Sequence, residues 1–287
     1  MLARAFVVLQ SILPKHWLTA ITWRIARIRN LRVKDFLITQ FARAFDVNLD
    51  EIKLEVPGDF ATFNEFFIRE LKEGAREIDD DDKAVISPVD GTVSAAGDIT
   101  RDRVYQAKGL DYSLGDLLAT DLEEVERYVD GRFATIYLAP YNYHRVHAPF
   151  AGELVAARYV PGDLFSVNEA TVSALRGLFR RNERLVMHFR TDFGPAVLVF
   201  VGALNVGSIS TPWTGEIRPR KAGVVDALNL SGHPTQVARG DLLGWFNMGS
   251  TVIVLMPPGV CEWDDDLEPG ETVRMGEDIG EIRGTAG

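Results

Sequence analysis

From residue 85 onward the chain is a series of short apolar runs, each closed by turn residues, and this limits the fold more than any other feature. "AVISP", "GTVSAA", "FATIYLA", "ELVAARYV", "RLVMHF", "AVLVFVGAL", "VGSISTPW" and "STVIVLM" are rich in β-branched and aromatic residues, as strands are. Pro88-Val89-Asp90-Gly91 and Asp192-Phe193-Gly194-Pro195 carry turn chemistry between them. Strands joined by turns this short pair antiparallel with their neighbours. We expect an α+β protein whose β-rich, mostly antiparallel domain spans residues 85–287.

The first 84 residues have a different texture. Residues 1–43 hold eight basic side chains (Arg4, Lys15, Arg24, Arg27, Arg29, Arg32, Lys34, Arg43) against one acid, Asp35, so this segment is +7 and the remainder −17. Between the charges lie Phe6, Leu9, Leu13, Trp17, Ile21, Ile25, Ile28, Phe36, Phe41 and Phe45, many at helical spacing. No run approaches the ~18 apolar residues of a transmembrane helix. The apolar stretch breaks at Gln10 and Pro14 and no small-residue cleavage site follows, which argues against a signal peptide. Basic amphipathic helices bearing tryptophan suit a membrane interface. The pattern alone leaves packing on the chain's own domain equally open. Thr62 and Glu65 in "TFNEFFIREL" form a capping box that opens a further helix. The aspartates of "EIDDDDKA" read as a solvated loop, because adjacent carboxylates repel.

Composition acts mainly by exclusion. A net charge of −10 argues against a general nucleic-acid binder, and the one cysteine, Cys261, cannot close an internal disulfide. "ARGDLLGWF" and "RMGEDIGEI" share the form G-(D/E)-x-(L/I)-G and resemble hairpins of biotinyl- and lipoyl-type barrels. A carrier module of that type needs an exposed lysine on a hairpin tip. The last lysine is Lys221, which argues against a carrier role.

"FNMGST" interrupts an otherwise apolar stretch with Gly249, Ser250 and Thr251. A glycine there marks a bulge or bend in the ordinary case. It also places a hydroxyl beside an unhindered peptide carbonyl. Two of the five histidines, His144 and His147, fall in "YNYHRVHAP". On a strand their rings point to opposite faces and no Cys/His cluster completes a shell, so no metal is expected. Asp90 sits in the turn "SPVDGTV". Asp, His and Ser in this chain order are compatible with an activated serine, which is defined by geometry and not by order.

"SPVDGTV", "AKGLDYSLGDLL", "YLAPYNYHRVHAP", "YVPGDLFSVN", "RNERLV", "FGPAVLVFVGALNVGSI" and "MGSTVIVL", with "TFNEFFIREL" before them, together resemble phosphatidylserine decarboxylase in its compact bacterial form. The likeness runs over nearly the whole chain. One departure is Met248, where the family commonly has leucine, a swap that conserves volume.

The resemblance implies a mechanism. Loss of CO2 from an amino-acid headgroup needs an electron sink, normally a cofactor. In this family Ser250 would attack the Gly249 carbonyl, and elimination and hydrolysis would leave a pyruvoyl group on residue 250. That group would then take the substrate amine as a Schiff base, with no metal and no pyridoxal phosphate. His147 would be the base for Ser250, Asp90 would fix its tautomer, and His144 would protonate the carbanion. Phe165, Ser166 and Asn168 would line the headgroup pocket. The expected products are two chains, 1–249 and 250–287, held together without a covalent bond. The expected partners are phosphatidylserine and a membrane surface docked by residues 1–84, on the cytoplasmic side of the cell membrane. A homodimer is open as an assembly. The rival reading is a serine hydrolase built on Asp90, His147 and Ser250, which lacks a G-x-S-x-G elbow.

Overall fold

The computed structural model describes residues 2–205 and 208–286. Four helices come first: α1 (Leu2–Ile12), α2 (Lys15–Ala26), α3 (Leu31–Ala44) and the short α4 (Phe63–Phe67). Strands begin at Ala84–Ile86. Most of the β residues form a nine-stranded antiparallel sheet, whose centre is the strand Ser250–Met256 between Arg132–Leu138 and Gly194–Val201. Every residue of that strand is buried. A four-stranded sheet holds Arg145–His147 and Leu242–Phe246, and a three-stranded one joins Ala84–Ile86, Asp278–Ile282 and Cys261–Trp263. Each of the eight expected runs contains a strand. Of "VGSISTPW", residues 206–207 lie outside the described residues.

The barrel hairpins are not met. "ARGDLLGWF" supplies Leu242–Phe246 to the four-stranded sheet, whereas "RMGEDIGEI" supplies Asp278–Ile282 to the three-stranded one. The two segments pair with different partners, and among the described residues no sheet closes on itself. Their shared glycine pattern reflects similar local turns, which do not determine partners.

Several polar side chains of the helices are turned inward. Gln10, Lys15, Thr19 and Lys34 are buried, while Leu9, Ile12, Trp17, Leu31 and Phe36 are exposed. A second core gathers Ile38, Phe60, Phe63, Phe66 and Phe67 beneath α3 and α4. Thr62 caps α4, its hydroxyl accepting the Glu65 N–H at 3.1 Å. No helix among the described residues is long and apolar enough to cross a membrane.

Candidate active site

Leu242–Phe246 belongs to the four-stranded sheet and Ser250–Met256 to the nine-stranded one. Asn247, Met248 and Gly249 therefore carry the chain from one sheet to the other. What reads in sequence as an interrupted strand is two strands in different sheets. Asn247 anchors the crossing: its Nδ2 donates to Ser208 Oγ at 2.8 Å and Ser210 Oγ at 2.9 Å, and its Oδ1 accepts from Asn64 Nδ2 at 3.0 Å. Ser250 follows, fully buried, and its Oγ has no hydrogen-bond partner. Burying a hydroxyl unpaired costs about 1–3 kcal/mol. A Cβ on Gly249 would meet nothing within 4 Å. No neighbour beyond the adjacent residues therefore requires glycine here, and the close approach expected of Gly249 concerns Ser250.

Leu138 lies opposite Ser250, and the turn after it leads to His144. Asn142 shapes that turn by accepting the Ala139 N–H at 2.7 Å on its side chain and bonding His144 Nδ1 at 2.8 Å through its carbonyl. A carbonyl only accepts, so Nδ1 carries the proton and Nε2 a lone pair. That Nε2 is buried without a partner, and the ring packs on Phe67 at 4.1 Å between centroids. Burial, and then the charge of Arg69, push the His144 pKa down to about 3. His144 is a neutral base at pH 7.

His147 lies on Arg145–His147 and faces a different set of groups. Its Nδ1 donates to the Gly240 carbonyl at 2.7 Å, and Tyr143 Oη donates to its Nε2 at 3.1 Å. Burial lowers its pKa as well. Asp90 does not hold this ring. Its Oδ1 accepts from Arg76 Nε at 2.7 Å and the Met275 N–H at 3.0 Å, and its other oxygen takes Arg76 Nη2. The tautomer expected from Asp90 is set by Gly240 instead, because Arg76 claims the carboxylate. Ser250 Oγ bonds to neither residue. Asp90, His147 and Ser250 therefore form no hydrogen-bonded triad in the uncut chain, the contact that the hydrolase and the self-cleavage readings both expect.

Phe165, Ser166 and Asn168 lie in the loop before the helical turn Glu169–Val172. Asn182 Nδ2 donates at 2.8 Å to both the Phe165 and the Gly202 carbonyls. Gly202 extends the strand that pairs with Ser250–Met256, so the loop is tied to a residue beside Ser250. Asn168 caps the turn by accepting the Thr171 N–H at 3.1 Å. From the other side α1 grips the loop: the Ser166 N–H donates to Gln10 Oε1 at 2.7 Å, and Gln10 Nε2 donates to Thr171 Oγ1 at 3.1 Å. Lys15 Nζ sits 4.0 Å from the Phe165 ring centroid and 3.1 Å from Asp163.

A family model described as phosphatidylserine decarboxylase matches residues 63–281, the span that holds every one of these side chains except Gln10 and Lys15. A second model, described as PSD, matches residues 5–46. A phosphatidylserine decarboxylase proenzyme from Saccharophagus degradans is 42% identical over 278 residues, 97% of each chain. One from Alcanivorax borkumensis is 43% identical over 278 residues, 96% of each chain. One from Psychrobacter arcticus is 44% identical, covering 95% of this chain and 96% of its own. The chain belongs to the phosphatidylserine decarboxylase family.

Within that family frame, several side chains at the site had no role assigned from sequence. Asn182 lies inside the family-like motif "RNERLV", but nothing in the string says that its side chain turns inward. Gln10 did carry a signal, since it is the polar break in an apolar stretch. Arg76 and Gly240 carried none, because their partners are distant in the chain.

Proposed function

We propose that this phosphatidylserine decarboxylase family member converts phosphatidylserine to phosphatidylethanolamine, and that it first cuts itself between Gly249 and Ser250 to make a pyruvoyl group from Ser250. The observation that carries the reading is Ser250 Oγ, buried and unpartnered beside a glycine with open space around it. A ketone at residue 250 supplies the electron sink that loss of CO2 requires. Holding hydroxyl and carbonyl adjacent in a buried crossing can supply ~7–11 kcal/mol of the cleavage barrier.

The chain's own residues carry the rest of this reading. His144 holds a lone pair at Nε2 and moves a proton near residue 250. Because burial keeps it neutral at rest, the proton it delivers must be picked up within the reaction. His147 serves as the base for Ser250 once its bond to Tyr143 is released, and Asp90, bonded to Arg76, acts on it through charge. Phe165, Ser166 and Asn168 face the headgroup. The exposed apolar residues of α1–α3, with Arg4, Arg24, Arg29 and Arg32 among them, dock on an anionic membrane surface. In this reading the protein is peripheral, on the cytoplasmic side of the cell membrane, and the exposed apolar and basic residues of its N-terminal segment support the peripheral part.

Intact-mass measurement on purified protein tests the core of this. We expect two chains, 1–249 and 250–287, the smaller lighter by one ammonia than a serine-started peptide, together with release of phosphatidylethanolamine from phosphatidylserine vesicles. An uncut chain that is fully active sinks the reading.

A further inference from the structure

Glu183 is a buried acid that the proposed function leaves without a task. It precedes the strand Arg184–Thr191 and is 0% exposed. Its Oε2 accepts from Tyr159 Oη at 2.5 Å, and Tyr159 Oη in turn accepts the Arg220 N–H at 3.0 Å, so the phenol proton points at the carboxyl. Its Oε1 has no partner.

The sheet determines what Oε1 faces. The Gly202 N–H donates to the Glu183 carbonyl at 2.9 Å. Extending the pairing of Thr251 with Val201 by one residue brings Gly202 opposite Ser250. Residues opposite one another on antiparallel strands project to the same face. Glu183, Gly202 and Ser250 therefore share one face on three neighbouring strands, and the middle one has no side chain. A Cβ on Gly202 would lie 2.7 Å from both Cγ and Oε1 of Glu183. The carboxyl fills the gap over Gly202, and the next side chain across, about 5 Å on, is Ser250. Glu183 Oε1, over Gly202, and Ser250 Oγ are thus two buried polar atoms without partners at neighbouring positions of one face.

Tyr159 and Arg220 are the titratable and charged groups that face Glu183. Burial pushes its carboxyl up to about 8, against the Tyr159 hydrogen bond and the Arg220 charge, which pull it down. It is protonated at neutral pH. With Oε2 accepting from Tyr159, the proton sits on Oε1.

We propose that Glu183 is the proton donor for opening of the Gly249–Ser250 bond, an inference that rests on the self-cleavage reading above. Ser250 Oγ gives its proton to a base and bonds to the Gly249 carbonyl carbon. The carbon–nitrogen bond breaks, its electron pair stays on the Ser250 nitrogen, and that nitrogen takes the proton from Glu183. The products are an ester, a free amine and the Glu183 carboxylate, which recovers its proton from the protonated base directly or through water. An amine does not leave as an anion at neutral pH, and Glu183 supplies the proton on the face where the serine attacks.

The test follows uncut full-length chain, made by cell-free translation over a range of pH, on denaturing gels and by intact mass. Glu183→Gln keeps the shape and an acceptor for Tyr159 but has no proton to transfer. Its cleavage should slow ~10²–10⁴-fold while circular dichroism and Tm hold. In the unmodified chain, cleavage should fall as pH rises through about 8, where the donor ionises, and Glu183→Gln should lack that limb. Tyr159→Phe removes a hydrogen bond that favours the carboxylate, so it should move the limb to higher pH while cleavage persists. That arm decides the matter if Glu183→Gln does not fold. Cleavage of Glu183→Gln at the unmodified rate, or a limb that Tyr159→Phe leaves in place, overturns the proposal. If the unmodified chain never cuts, the self-cleavage reading falls instead.

Discussion

His144 and His147 sit three residues apart and share one tautomer, each with Nδ1 on a backbone carbonyl. They differ at Nε2, which is bare in His144 and bonded to Tyr143 in His147. The chemistry assigned to each is therefore separable by mutation. His147→Ala should accumulate uncut 287-residue precursor. Asp90→Ala should do so more weakly, because the Asp90 charge helps only to keep His147 basic against burial and Arg145. His144→Ala should still be cut but release little phosphatidylethanolamine, with turnover down ~10²–10⁴-fold. Melting curves on each variant separate these effects from misfolding. A His144→Ala precursor that stays whole while His147→Ala matures would reverse the two roles.

At the level of elements, the N-terminal helices bury polar side chains and leave large apolar ones outside, although Ala26, Ile38 and Ala42 still face a core. A helix on a soluble core buries its apolar stripe. Here Gln10, Lys15 and Lys34 face inward and Leu9, Ile12, Trp17, Leu31 and Phe36 face outward. The buried polar groups are matched by the loop 162–168, Asp163 and Asp35. Arg27 is also engaged, with Glu216 at 2.7 Å, and that carboxylate takes the Trp23 indole N–H and the Ser208 hydroxyl as well. Arg27 is thus part of the packing that leads through Ser208 to Asn247, and it is a poor choice for a charge-reversal test. Arg24, Arg29 and Arg32 are exposed. Reversing these three to Glu should weaken co-sedimentation with anionic vesicles by more than about 100-fold at low salt, because loss of the three positive charges alone costs ~1 kcal/mol each. The effect should shrink as salt rises, and self-cleavage should be unchanged. Binding indifferent to both charge and salt would show that the helices serve packing alone.

Across the whole molecule, the proposed cut would fall at the edge of the longest fully buried strand among the described residues. Ser250–Met256 is paired on both sides by strands of the larger fragment. Residues beyond it add Cys261–Trp263 and Asp278–Ile282 to the sheet that holds Ala84–Ile86, and Thr272–Val273 to Gly91–Asp98. The small chain is therefore woven into two sheets. After cleavage the two chains should elute as one species on gel filtration and separate only in denaturant. Dissociation in native buffer would contradict this. The same interleaving explains why the fold was only partly legible. The longer strands could be read from sequence, since β-branched and aromatic content between turns is a local property, whereas short ones such as Arg145–His147 and Cys261–Trp263 could not. Partners could not, and the two glycine-patterned segments that look alike went to different sheets.

The sequence by itself named the proposed reacting atoms, the long strands and the N-terminal helices. A Gly-Ser peptide bond ahead of a buried strand, two histidines in one segment and a set of long family motifs all survive as strings. Tertiary structure alone decided the state of those atoms. Arg76, from another segment, draws Asp90 away from His147. Gly240 orients His147, and Asn142 orients His144. Glu183 becomes an acid facing residue 250 because Gly202 leaves a gap and Tyr159 holds one of its oxygens. Protonation depends on burial and on charges within a few ångströms, and those neighbours are brought together only when distant segments pack.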